Sequence, residues 1–226
     1  MADVILLLAG KGERLSQDIN KQYFKIKGQE LYLYSLKSLL DIPQIERIFL
    51  IVDKEHLKMV ELQTKSFKKP IYIIEGGESR QDSVFKGLSF LNSIDHSPYV
   101  LIHDSVRPLI EKDLILKIIS ELLNHEAVVP FLSIYDSLAI KNSNGNIEHY
   151  LDRKNYIRIQ TPQGFLFEVI YKAHLENRKN GTTTSYDDYS LLLKSGVKVK
   201  LIDGDPRSFK ITTKEDLLLF KEIING

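Results

Sequence analysis

Met1-Ala-Asp-Val-Ile-Leu-Leu-Leu-Ala-Gly-Lys-Gly-Glu-Arg-Leu15 decides how the rest of the chain is read. Its apolar run, Val4–Leu8, is continuous rather than alternating and stops at a glycine. That pattern predicts a strand covered on both faces, as inside a parallel sheet. Runs of the same kind recur at Ile48–Val52, Ile71–Ile74, Val100–Ile102 and Val128–Phe131. Helical patterns lie between them. Ser79 with Asp82 three residues on makes an N-cap, and Ile115, Ile118, Ile119 and Leu122 form a stripe at helical spacing. Strand and helix alternating over roughly the first 130 residues predict a doubly wound, mostly parallel α/β sheet.

After Phe131 the rhythm changes. Ser137–Lys141, the polar Asn142–Asn146 and Ile147–Tyr150 read as a hairpin that projects from the sheet. The chain then returns through a helix near Phe167–Asn177, a strand at Val197–Ile202, and a last helix opened by the capping box Thr212-Thr-Lys-Glu215. The expectation is one α/β domain over residues 1–226. Its β-arm, at about 135–160, pairs with a second subunit.

Composition excludes several classes of function. With 31 basic against 30 acidic side chains in 226 residues, the net charge of +1 leaves no basic coat for nucleic acid. There is no cysteine, hence no disulfide framework, thiolate metal site or cysteine nucleophile. The opening apolar run is too short to span a bilayer and has no basic segment before it. A cytoplasmic protein with no membrane partner is expected.

The candidate chemistry follows the strand ends. Past the first strand, Gly10 and Gly12 allow backbone N–H groups to approach a phosphate, and Lys11, Arg14 and Lys21 add positive charge. The third glycine of a dinucleotide fingerprint and the Gly-Lys-Ser/Thr of a P-loop are both missing. Gly76-Gly77-Glu78 precedes the Ser79 cap, so a helix N-terminus approaches whatever lies above the sheet. Ser83 in its first turn either faces a ligand or assists the cap. His103-Asp-Ser-Val-Arg-Pro108 ends the fourth strand, where open α/β sheets hold ligands. Asp104 there either holds Mg²⁺ or pairs with Arg107 to fix the loop. His103 is read as a satisfied histidine with no catalytic role, and Asp203-Gly-Asp205 as a turn.

Seven segments in one order, LAGKGERL (8–15), KQY (21–23), GGESRQDSV (76–84), HDSVRP (103–108), DR (152–153), QTPQGF (160–165) and FKIT (209–212), closely resemble the 2-C-methyl-D-erythritol 4-phosphate cytidylyltransferase family. The resemblance implies a Rossmann-like nucleotidyltransferase fold, a homodimer joined through the arm, and a Mg²⁺-dependent reaction. In that reaction CTP and a polyol phosphate give a CDP-alcohol and pyrophosphate. Position by position, it implies that Arg14 and Lys21 stabilise the transition state at the α-phosphorus. Arg153 and Lys210 position the attacking phosphate, Arg153 in the partner subunit's site. Ala9, Gly10 and Gly12 match the triphosphate loop, and Gly77, Glu78 and Ser83 the cytosine pocket. Asp104 and Ser105 match the ribose and metal contacts, and Arg107, Ser137, Thr161 and Asp187 fall to the second substrate.

That chemistry needs charge rather than a strong base. CTP carries about four negative charges and the acceptor nearly two, so their meeting is electrostatically opposed and cations must gather at the mouth of the sheet. Tyr186, Ser137 and Ser208 depart from the family pattern, all in the acceptor region. Cytidylyl transfer to ribitol 5-phosphate or another polyol phosphate is therefore the second reading. A nicotinamide-dependent oxidoreductase and a non-catalytic nucleotide-binding module are the alternatives from other classes.

Overall fold

A computed structural model describes residues 1–10, 20–179 and 187–225. In chain order these form β1 (Ala2–Leu7), β2 (Lys25–Ile26), β3 (Gln29–Glu30), α1 (Leu31–Leu40), β4 (Ile45–Val52), α2 (Leu57–Thr64), β5 (Ile71–Glu75) and α3 (Arg80–Asn92). Then come β6 (Tyr99–Asp104), α4 (Lys112–Glu121), β7 (Ala127–Ser133), β8 (Leu138–Lys141), β9 (Ile147–Leu151), β10 (Ile157–Ile159) and β11 (Gln163–Leu166). The last four are α5 (Phe167–Lys179), α6 (Tyr189–Lys194), β12 (Val199–Asp203) and α7 (Lys214–Asn225).

All five predicted apolar runs lie in or run one residue past strands of one sheet. β1 is central, parallel to β4 on one side and β6 on the other, and β5 continues from β4. Every residue of β1 is buried, and its side chains divide by the two-residue period of a strand. Val4 and Leu6 pack with Leu36, Leu39, Val60, Ile115 and Ile118 of α1, α2 and α4. Ile5 and Leu7 pack with Val84, Leu88 and Leu91 of α3 and Ile170 of α5. Both faces are covered, which is why the strand reads as a continuous apolar run. Gly87 lets α3 settle closely on the sheet, since a Cβ there would come within 3.0–3.1 Å of the Ile51 and Ile5 Cδ1 atoms.

Beyond β6 the sheet becomes mixed. β11 runs antiparallel between β6 and β7, while β12 lies parallel to β7 on its other side. Phe131 of β7 pairs with both Ile159 and Asp203, so β10 shares the edge taken by β11. A cis Thr161–Pro162 bond lies in the step between β10 and β11. Periodicity at three or four residues is too short to reveal such strands. Among the described residues, β8 and β9 pair only with each other in a hairpin, with nearly every residue exposed. The box opening α7 sits one residue later than predicted: the Thr213 hydroxyl accepts from Asp216 N–H, and the Asp216 carboxylate accepts from Thr212 and Thr213 N–H. Asp216 supplies the acid because Glu215 is one residue short of the capping geometry.

Candidate active site

The carboxyl ends of β1, β4, β5 and β6 open on one cleft of about 910 Å³, lined among others by Ala9, Gly10, Lys21, Asp53, Gly77, Glu78, Arg80, Ser83, Asp104, Ser105 and Lys210. Seven residues assigned from the resemblance as nucleotide contacts therefore share one wall system. Gly12 and Arg14 lie outside the described residues, as does Tyr186.

The backbone of this cleft is tightly held. Ala9 N–H donates to the Ile51 carbonyl at 2.8 Å, fixing the first strand's exit. Gly77 N–H donates to Ser83 Oγ at 3.0 Å, and Ser79 Oγ caps α3 by accepting from Asp82 N–H. Ser83 thus stiffens the turn while its residue still lines the cleft. Gly77 is required by close approach, since a Cβ there would fall 1.9 Å from the Asp82 carboxylate.

Charge concentrates around Asp104 at the end of β6. Lys210 Nζ lies 2.9 Å from its Oδ2, Arg80 Nε 3.6 Å from Oδ1, and Arg107 Nε 3.8 Å from Oδ2. Burial opposes ionisation of Asp104, but Lys210, Arg80 and Arg107 outweigh it and hold the carboxyl well below the usual range. Asp104 pairs with Arg107, as the ion-pair reading expects, and also lines the cleft. Arg80 also reaches Asp188, whose Oδ2 lies 2.8 Å from Nη1, with the buried His174 behind it. Burial works against the Asp188 charge, but Arg80 and then His174 keep its pKa below the ordinary value. Asp187 moves the other way, raised chiefly by burial; its Oδ1 accepts from Gln163 at 3.3 Å.

Lys210 is delivered by a stitched loop. Gln160 Nε2 donates to the carbonyls of Asp205 and Ser208, Arg107 Nη1 donates to the Ser208 carbonyl, and Ile211 N–H donates to the Val106 carbonyl. His103 is wholly buried, which lowers its pKa to about 4 and leaves it neutral. Its Nε2–H donates to the Arg107 carbonyl, so Nδ1 accepts from the Thr161 hydroxyl at 2.9 Å. Thr161 Oγ1 in turn accepts from Asp104 N–H. Thr161 therefore sits buried behind Asp104 rather than on the cleft wall.

The four assigned cations divide. Lys21 and Lys210 line the cleft, and Arg14 falls outside the described residues. Arg153 is exposed at the foot of the arm, where Nη1 donates to the Tyr135 carbonyl, and Ser137 is exposed nearby. Arg80 and Asp53 were missed. An arginine in the first turn of a helix opposes the helix dipole, so Arg80 signals a nearby acid. Asp53 directly follows β4, while Asp104 is the last residue of β6, and the strand-end argument used for one applies to the other.

The whole-chain comparison decides the family. The model of 2-C-methyl-D-erythritol 4-phosphate cytidylyltransferase matches residues 2–225. The chain belongs to this family. The cytidylyltransferase of Alkaliphilus oremlandii is 35% identical over 224 residues, covering 98% of this chain and 94% of its own. That of Thermosipho africanus is 38% identical, with 98% of each covered. The crystal structure of 4-diphosphocytidyl-2C-methyl-D-erythritol synthase from Anaerococcus prevotii superposes with a TM-score of 0.86 at 26% identity, over 100% of this chain and 98% of its own. The cytidylyltransferase fold includes the mixed sheet described above.

Proposed function

We propose that the chain transfers the cytidylyl group of CTP to 2-C-methyl-D-erythritol 4-phosphate. The carrying observation is the gathering of Lys210, Arg80 and Arg107 about one strand-end carboxylate, in a chain matched along its length by the cytidylyltransferase family. An acceptor phosphate oxygen bonds to the α-phosphorus as the bond from that phosphorus to the β-phosphate bridging oxygen breaks. Pyrophosphate leaves with the electron pair. The attacking oxygen is already anionic, so the site's work is positioning and charge neutralisation.

Ala9, Gly10 and Gly12 take the triphosphate, while Gly77, Glu78 and Ser83 take the cytosine and Ser105 the ribose. Lys21 and Arg14 take the part of neutralising the charge that develops at the α-phosphorus. Lys210, Arg107, Asp187 and Ser137 serve the acceptor side, while Thr161 supports Asp104 from behind. Asp104 is an ionised oxygen donor at the cleft, which suits Mg²⁺ carried largely by substrate phosphates. No cluster of three or more His, Cys, Asp or Glu able to cage a metal occurs among the described residues. Bound Mg²⁺ supplies further neutralisation of the phosphate charge.

We assign the homodimer to the arm, where Tyr135, Ile140, Ile147, Tyr150, Tyr156 and Ile157 are exposed apolar residues in one stretch. Arg153 belongs to the partner's cleft in this assignment. We also assign the chain to the cytoplasm, where nucleoside triphosphates are supplied; among the described residues no helix is long and apolar enough to cross a membrane. The test is incubation with CTP and Mg²⁺ beside methylerythritol phosphate or ribitol 5-phosphate, with products identified by mass. A CDP-alcohol from the first supports the reading. Preference for ribitol 5-phosphate transfers the function to the second substrate, and no CDP product from either ends it.

A further inference from the structure

Asp53 has the wrong charge for the place it occupies. It lines the cleft that holds Gly10 and Lys21, where a triphosphate with about four negative charges is to bind. Burial, the largest influence, also pushes its pKa up. A group that is unfavourable for ligand binding and partly desolvated calls for another explanation, and its contacts supply one.

The Asp53 carboxylate accepts from Gly10 N–H at 3.3 Å, from Asn20 Nδ2 at 3.2 Å and from Gln22 Nε2 at 3.3 Å. Gln22 is itself buried, and its Nε2 also donates to the carbonyls of Leu8 and Gly10, the latter at 3.1 Å. The short turn Lys21–Tyr23 is closed by Tyr23 N–H on the Asn20 carbonyl. The Tyr23 ring stacks on His56, three residues beyond Asp53, with centroids 3.8 Å apart. The end of β1 and the turn bearing Lys21 are thus tied to one carboxylate and its following turn.

We propose that Asp53 and Gln22 form a strut that sets Lys21 against the phosphate-facing backbone of Gly10, making both positioning residues for the transfer. The proposal rests on the cytidylyltransferase reading and assigns its catalytic geometry. Charge and geometry oppose each other at Asp53, so its removal separates two kinetic constants. A misplacement of about 1 Å costs up to roughly a hundredfold in rate. Loss of one nearby negative charge strengthens triphosphate binding about two- to fivefold.

The test compares Asp53→Ala, Asp53→Asn, Gln22→Met and the Asp53→Ala/Gln22→Met double variant. In Asp53→Ala, kcat is expected to fall at least about tenfold while KM for CTP falls. Asp53→Asn keeps an acceptor for Gly10, so it should recover part of kcat and retain the lowered KM. Gln22→Met should lose kcat with KM unchanged, and the double variant should be no slower than the slower single variant, because one strut is broken once. Unchanged kcat in either single variant, a raised KM in Asp53→Ala, or multiplicative losses in the double variant would overturn the proposal. Amide exchange separates this result from general unfolding. Gly10 N–H should exchange at least about tenfold faster in Asp53→Ala, with the amides of β1 and β4 unchanged. Faster exchange throughout those strands rejects the strut. An inactive wild type would refute the cytidylyltransferase reading instead, leaving Gly10 exchange to judge the strut.

Discussion

Replacing Lys210 with methionine separates a catalytic charge from a structural one. Its ammonium lies 2.9 Å from Asp104 Oδ2. At an effective dielectric constant of about 20, that separation corresponds to a Coulomb attraction of roughly 5–6 kcal/mol before desolvation. The Lys210 side chain is 39% exposed, whereas Asp104 is 11% exposed and keeps Arg80 and Arg107 as partners. Solvent screening and those remaining cations reduce the stability contribution to about 1 kcal/mol, a fall in Tm of about 2–4 °C for a chain of this size. A cation aimed at a reacting phosphate is worth far more, and its loss should lower kcat by about 10²–10³. Pyrophosphate release and thermal melting on the same preparation read the two effects. A rate loss below about tenfold, or a collapse in Tm matching the loss of activity, would refute the assignment of Lys210 to the reacting phosphates. Lys210→Arg should restore little, because a planar fork does not occupy the place of a compact ammonium.

Three further outcomes follow from the geometry. Gly77→Ala should raise KM for CTP several-fold with a smaller change in kcat, since the new Cβ collides with the Asp82 carboxylate and shifts the start of α3; an unaltered KM would remove this turn from the nucleotide site. His103 has a folded pKa of about 4 against 6.5 for the free side chain, so the unfolded chain binds more protons between those values and stability should rise with pH across them. His103→Asn should flatten the Tm profile between pH 7 and 5, and an unchanged slope would count against the buried neutral histidine. In the arm-joined homodimer proposed above, equal mixing of Arg153→Ala and Lys210→Met subunits should restore about a quarter of wild-type activity, because half the dimers are mixed and each has one intact cleft; no recovery would confine Arg153 to its own subunit.

The parallel half of the fold was legible because its strands are covered on both faces, and continuous apolar runs at Val4–Leu8 and Ile48–Val52 say so directly. The mixed half was less so. β10 and β11 hold three and four residues and include a glycine and polar side chains, so no period could develop. The site followed the same division. Asp104 and Lys210 were found because their segments carry family motifs, and the glycines because phosphates require backbone approach. Arg80 was passed over inside a recognised motif, its partner Asp188 lying more than a hundred residues away. Gln160 shows no task in its own segment, since sewing down the Lys210 loop is a tertiary matter.

The antiparallel β11, set between β6 and β7, makes the molecule a joint between two halves. Among the described residues, those assigned above to the nucleotide follow the ends of β1, β5 and β6. The strand bearing the arm and the strand leading to the Lys210 loop both belong to β7's neighbourhood. Substitutions beyond β11 can therefore redraw the acceptor end without disturbing the register of the parallel strands. An enzyme built this way can change the alcohol it modifies while keeping the same activated donor.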